Sequence, residues 1–409
     1  MARPSLRTVP ETLDEFDALL LVSFLWFLAK FVRYAFPPLF EPLQGVYGVT
    51  NAEIGLAYTG FMLAYAAMQF PSGALADRFG SVRVIATGSL LAALAALALV
   101  IESPFGVLVG AMILMGAGTG AHKTVAIRLL SRLYPARTGR ALGTMDTIGT
   151  FAGVAAPAIV VAVLAGPSLF GEGWRTVFLV AGVAGVAGTV AFTVRVSDPT
   201  AGRTGGSSGT VREYLGLFRN PRLLAFVLVT VLFGFTYNGV VAFLPLYLTS
   251  EAGLTTATAG LLFGALFAAS IVQIVSGTLS DRLGELPVIV ATLALATAAL
   301  VALVVLTPTG RPVLLGVVVV AVGLGSHGFR PVRGAYWMSV LPESLAGGSL
   351  GVVRTLLMGS GALAPAAVGV LSESIGFVPT FWLLTATIGC STVLAGMLLA
   401  THGDSTPRR

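Results

Sequence analysis

The sequence predicts an all-α integral membrane protein with twelve transmembrane helices in two pseudo-symmetric six-helix bundles, and three observations predict it. The first is composition: of 409 residues, 56% are hydrophobic and 10% charged, with a mean hydropathy of +0.91. Soluble domains carry about 25% charged residues, so most of this chain has no aqueous surface to cover. The second is the recurrence of apolar blocks at residues 16–40, 53–75, 82–102, 104–130, 139–165, 174–196, 222–248, 256–279, 286–306, 312–338, 347–370 and 377–400. Crossing about 30 Å of hydrocarbon takes about 20 helical residues, which each block supplies. The third is a repeated turn: GALADRFG at Gly73 to Gly80 returns 204 residues later as GTLSDRLG at Gly277 to Gly284.

The repeat sets the domain organisation. Leu142-Gly143, Gly153 and Pro157 recur at a spacing of 208 as Leu350-Gly351, Gly361 and Pro365, so a small insertion separates two otherwise parallel halves. Between them lies the polar, Gly/Ser/Thr-rich segment 197–221, a flexible linker by composition. The predicted divisions are 1–196, 197–221 and 222–409. Internal repeats of six spans are the pattern of transporters whose halves rock about a central site.

Arginines crowd one set of connections: Arg3, Arg7, Arg78, Arg83, Arg132, Arg137, Arg140, Arg195 to Arg222, Arg282, Arg408 and Arg409. The alternate connections carry Glu41, Glu53, Glu102, Glu172 and Glu251, with Arg175 and Arg311 as exceptions. By the positive-inside rule both termini and both Asp-Arg turns are expected in the cytoplasm of a multi-pass cell-membrane protein. The formal charge of +6 is then a topology signal and calls for no nucleic acid. The first block follows an acidic lead-in and is read as a retained span. Cys390, the only cysteine, lies in an apolar run and is expected to be a core thiol. No nucleophile-base-acid set, phosphate loop or metal-ligand ladder appears, so neither an enzyme nor a cofactor is expected.

The chain resembles the major facilitator superfamily. Gly73, Asp77, Arg78, Gly80 and Arg83 match that family's cytoplasmic loop motif, Gly277, Asp281, Arg282 and Gly284 form a second, weaker copy, and Gly173-Trp174-Arg175 with Phe178 is similar to a frequent feature at the sixth span. The resemblance implies a secondary transporter with alternating access. Physically, Gly73 permits close packing, Gly80 a tight turn, and Asp77 can cap a neighbouring helix or pair with a base at the seam between bundles. Such contacts would favour an outward-facing state; the alternative is a loop acid and arginine that only fix topology.

Charges inside spans are costly and mark a cavity. Lys30 and Arg33 share a face of the first span and are candidate anion ligands, as in family members that carry organic anions or phosphate esters. His122 and Lys123 in the fourth span correspond, at the 208 spacing, to Arg330 and Pro331 in the tenth, and all but the proline are candidate ligands. Arg330 and Arg333 could form a fork for carboxylate or phosphate, or a cytoplasmic gate with Glu343. Asp146 and Arg354 occupy equivalent positions in spans five and eleven, so the acid can exchange basic partners and couple protons, or form a permanent ion pair. Tyr34, Tyr65, Gln69, Tyr237, Asn238 and Gln273 are further polar candidates. GTFAGVAAP, Gly149 to Pro157, partly resembles an antiporter motif, and packing explains it nearly as well. Gly110 to Leu114 lacks the arginine common in the family's sugar symporters. The basic balance points to a small anionic solute, with protons as a candidate coupling ion, membrane lipids as surroundings and a monomer as the working unit. The alternative is a proton-driven exporter of neutral or amphipathic compounds.

Overall fold

Helix boundaries follow local chemistry. Thr50 and Glu53 form a reciprocal capping box, with Glu53 N–H donating to Thr50 Oγ1 at 3.2 Å and Thr50 N–H to Glu53 Oε2 at 2.9 Å, which satisfies two of the helix's orphan donors. Asn220 caps the helix that begins at Pro221, and Thr255 caps the next. Gly80 and Gly284 end their helices with φ 92°, ψ 153° and φ 85°, ψ 162°, a region essentially closed to residues with a Cβ. The two Asp-Arg turns are therefore one turn used twice.

The computed structural model describes residues 14–167, 171–197, 220–340 and 346–403, without the side chains of residues 14, 15, 70, 346–357, 402 and 403. Its helices are α1 (Asp14–Ala35), α2 (Phe40–Tyr47), α3 (Asn51–Phe79), α4 (Ser81–Ala98), α5 (Phe105–Gly120), α6 (His122–Leu133), α7 (Thr138–Ala165) and α8 (Trp174–Arg195). The second half of the chain gives α9 (Pro221–Ser250), α10 (Thr256–Ala268), α11 (Val272–Leu283), α12 (Glu285–Leu306), α13 (Pro312–Val340), α14 (Ala346–Ser374) and α15 (Phe377–Gly403). This is an all-α, multi-pass membrane fold.

Ten stretches of the described residues are long and apolar enough to cross a membrane, against the twelve expected. The other two expected spans, 53–75 and 347–370, lie within α3 and α14, which are 29 residues each and so about 44 Å long. Both pack against each other, and α3 carries Asn51, Glu53, Gln69, Asp77 and Arg78. α3, shielded in this way, needs less apolar surface than a helix facing lipid, while the side chains of 346–357 in the eleventh expected span lie outside the described residues. Two further spans are broken: the fourth into α5 and α6 around Ala121, the eighth into α10 and α11 around a 3-10 turn at Ala269–Ile271. Most of the linker, both chain ends and Glu343 lie outside the described residues. Cys390 is exposed on α15, which corrects the expectation of a core thiol; an apolar run on a membrane helix covers its lipid face as well as its packed one.

The two halves of the chain meet at the end of the molecule opposite the Asp-Arg turns. α3 packs on α14, α7 on α10, and the 3-10 turn Pro37–Leu39 on α9 and α10. A Cβ on Gly55 would lie 2.5 Å from the Pro365 carbonyl oxygen, and one on Gly260 2.7 Å from Val161. These contacts obey the repeat: Ala52 meets Gly369 as Gly260 meets Val161, both residues shifted by 208. Ala52 N–H donates to Glu373 Oε1 at 2.9 Å, Ala366 N–H to Thr59 Oγ1 at 2.9 Å, and Thr256 Oγ1 to Glu41 Oε2 at 2.9 Å. At the Asp-Arg end, Gly73, Gly139, Gly143, Gly277 and Gly334 have nothing within 4 Å of a hypothetical Cβ.

Candidate functional site

Prolines prepare the site. In α1 the run Ala35-Phe36-Pro37-Pro38 removes the N–H groups that the Arg33 and Tyr34 carbonyls would accept from. Tyr58 of α3 donates its hydroxyl to the Arg33 carbonyl at 2.9 Å instead, anchoring the end of α1 where its charged residues sit. The Arg33 Nη2 donates to Asn238 Oδ1 of α9 at 2.8 Å, and the Asn238 amide donates to the Gly234 carbonyl at 2.8 Å. This contact joins the end of α1 to the middle of α9, one in each half. The guanidinium lies 5.7 Å and 5.8 Å from the Tyr34 and Tyr65 rings, and its Nε is buried without a hydrogen-bond partner.

Lys30, one turn earlier, places its ammonium 5.3 Å from the Trp26 ring. The charges that act on Lys30 are Arg330, Asp146, Lys123 and Arg33. Arg330 of α13 therefore lies within electrostatic range of the first-half cations. Its guanidinium lies 5.0 Å from the Tyr237 ring, and its Nη1 is 3.3 Å from His327 Nδ1. Asp146 forms an ion pair with Lys123, whose ammonium also lies 5.2 Å from the Trp26 ring. Among the described residues, Asp146 is the only acid acting on Lys30, and Lys30, Arg33 and Arg330 make no ion pair.

Other candidates go elsewhere. His122 is buried within the first half, donating from Nε2 to the Val22 carbonyl at 3.1 Å and stacked on Trp26 at 5.7 Å. The break before α6 turns it into the helix packing and leaves Lys123 to face Asp146. Gln273 donates to the Ser270 carbonyl at 3.1 Å, spent on the break in its own span. Gln69, its counterpart in the repeat, donates to the Gly120 carbonyl at 2.8 Å at the break in α5 and α6. Arg333 lies 5.6 Å from the Phe329 ring, and the Arg354 side chain lies outside the described residues. Asp77 pairs with Arg128 of α6 in its own half, Arg78 lies 5.2 Å from the Phe79 ring, and Arg83, Asp281 and Arg282 are exposed. Gly73 makes no close packing here. Gly149, Gly153 and Pro157 abut Trp26, Phe267 and Gly264, so GTFAGVAAP is a packing surface.

Sequence reasoning missed Trp26, Tyr58, Arg128 and His327. His327 had a usable signal, lying three residues before Arg330 and hence on the same helix face.

The Major Facilitator Superfamily profile matches residues 22–365, with a second match over 266–409. The chain belongs to the Major Facilitator Superfamily. The chain is 26% identical over 255 residues to a probable sulfoacetate transporter of Cupriavidus necator, covering 58% of each chain. It thus spans little more than half that relative's length. It is 26% identical over 328 residues to a provisionally named proline/betaine transporter of Staphylococcus haemolyticus, covering 74% of this chain and 69% of the other. A solved bacterial homologue of the human lysosomal transporter Spinster, inward-facing and occupied, superposes with a TM-score of 0.81 at 16% identity, over 94% of this chain and 96% of that one. At that identity the superfamily likeness is one of fold.

Proposed function

We propose that the protein is a secondary active transporter of a small anionic solute, working by alternating access of two six-helix bundles, 1–196 and 222–409, joined by 197–221. The observation that carries the reading is the trio Lys30, Arg33 and Arg330, contributed by both halves and unopposed by any ion-paired carboxylate among the described residues. Uncompensated cations in a low-dielectric space attract an anion far more strongly than they would in water. Asp146, the one acid among the described residues that acts on Lys30, is already matched by Lys123, so it tunes the field without cancelling it, and it is the candidate proton-coupling group. The sulfoacetate relative supports an anion; the proline/betaine relative fits only through its carboxylate end. Arginine placement favours cytoplasmic termini. Under that orientation the contacts between halves close the outer end, and this conformation faces the cytoplasm.

The aromatic wall of Trp26, Tyr34, Tyr65 and Tyr237 favours a second reading, export of amphipathic compounds with the bases used in gates. The deciding experiment is uptake of sulfoacetate, malonate, glycerol 3-phosphate and nitrate into proteoliposomes, with and without a proton gradient. Uptake of an anion that collapses in Arg33→Gln and Arg330→Gln supports the anion reading. Neutral-solute transport that keeps its apparent affinity in both variants promotes the exporter.

A further inference from the structure

Arg330 poses a problem that the anion reading does not solve. A guanidinium on a long, flexible side chain needs a partner to hold its plane. A carboxylate would do this but would also cancel the charge that a solute anion is to meet. Among the described residues Arg330 has no carboxylate; it has His327 one turn earlier on α13, with Nδ1 3.3 Å from Nη1. An arginine has no acceptor, so Nδ1 must accept, and the ring is neutral with its hydrogen on Nε2. Nε2 is buried and makes no hydrogen bond of ordinary geometry, although the Leu266 carbonyl of α10 lies nearby.

The imidazole is itself fixed. It is fully buried, edge-on to Tyr237 of α9 at 5.9 Å and tilted against Phe267 of α10 at 5.8 Å. Phe267 also packs on Tyr34 of α1 at 4.4 Å and would be struck by any side chain at Gly153 of α7. The ring is therefore wedged between α9 and α10 of its own half, with Phe267 carrying the packing on to α1 and α7, while the guanidinium it holds lies over the Tyr237 ring within electrostatic range of Lys30.

We infer that His327 is the positioning residue of the solute site: a neutral imidazole that orients the Arg330 guanidinium through Nδ1 while leaving its full charge for the solute. An oriented fork keeps N–H groups that suit the paired oxygens of a carboxylate, sulfonate or phosphate, so the site selects oxyanions over halides. This inference rests on the anion reading above and names the side chain that gives that reading its geometry.

The test uses sulfoacetate and chloride as probes, with binding to purified full-length protein measured by calorimetry and thermal stability followed for each variant. His327→Phe keeps an aromatic ring between Tyr237 and Phe267 but removes the acceptor, and should weaken sulfoacetate about threefold to tenfold, as loss of one hydrogen bond implies. His327→Asn places an oxygen where Nδ1 sits and should restore affinity to within about twofold, whereas His327→Gln places it where Nε2 sits and should not. Adding His327→Phe to Arg330→Gln should cost nothing further, because the two act as a unit. Chloride binding should stay weak in every variant. If Arg330→Gln weakens sulfoacetate but His327→Phe does not, the positioning role is wrong and the anion reading stands. If all three His327 variants lose binding and melting temperature together, the residue is structural and the inference is overturned. If sulfoacetate binds equally to wild type, Arg33→Gln and Arg330→Gln, or to none of them, the anion reading itself falls and this inference with it.

Discussion

Arg33 illustrates what a membrane-buried charge needs in order to persist: the Asn238 amide takes one N–H, the Tyr34 and Tyr65 rings flank the plane, and Nε is left over. A guanidinium so placed is expensive unless it serves a function. Arg33→Gln should weaken anion binding by about 10- to 100-fold, since a hydrogen bond to a charged group contributes about 1.5–3 kcal/mol. Arg33→Lys should recover part of that for a point-charge contact and little for a bidentate one. Titration of each variant with sulfoacetate checks it, and equal affinity in all three proteins would remove Arg33 from the site. The same scale separates the glycines of the loop motif. Gly80 sits at φ 92°, so Gly80→Ala should cost about 1–3 kcal/mol of strain and lower the melting temperature. Gly73→Ala meets open space in this conformation and should leave it unchanged. Sequence spacing made the turn legible, yet it could not show that Asp77 pairs with Arg128, because the partner lies 51 residues away on a helix whose rotation depends on the break at Ala121.

At the scale of elements, the contacts between halves join helix ends to helix ends. Glu373, at the end of α14, accepts from Ala52 N–H in the first turn of α3. That turn has orphan donors and a partial positive charge, so a carboxylate there acts as a cap supplied by the other half. Asp77, at the opposite end of α3, is expected from the sequence to make a comparable contact when its own end closes. In the present conformation it is engaged with Arg128 instead. Removing a capping group typically costs about 1 kcal/mol, roughly a fivefold shift of an equilibrium. Glu373→Ala should therefore raise the population open at the α3 N-terminus, and Asp77→Ala should raise the population open at the Asp-Arg end. Spin-label distances across each end would measure both, and shifts of the same sign would contradict the pairing. Hydropathy located these helices to within a few residues. It could not locate Glu373 as a cap, because the acid reads as an ordinary loop charge until α14 and α3 are laid side by side. Nor could it show the breaks at Ala121 and Ala269, since a broken helix and a continuous one have the same apolar content.

Across the whole molecule, the repeat visible in the sequence has a physical counterpart in the way the halves touch. Ala52 against Gly369 and Gly260 against Val161 are the same contact made twice, with the glycine on opposite partners. The spacing of 208 foretold the equivalence of positions, but which positions meet depends on the tilt of one half against the other, and tilt is a property of the conformation. Alternating access requires this end to open in every cycle. A cross-link made here should then arrest transport while leaving the fold intact. Thr59 and Ala366 suit it, since the Thr59 Oγ1 lies 2.9 Å from the Ala366 backbone nitrogen, which keeps the two Cα atoms within the span of a disulfide. With Cys390 replaced by Ser, the pair Thr59→Cys and Ala366→Cys should form a disulfide under mild oxidant. Uptake into proteoliposomes should fall to background and return on reduction. Anion binding from the Asp-Arg side should survive in the oxidised protein, because that end stays open. Full transport by the cross-linked protein would show that this contact does not separate during the cycle, and the alternating-access reading would have to be abandoned.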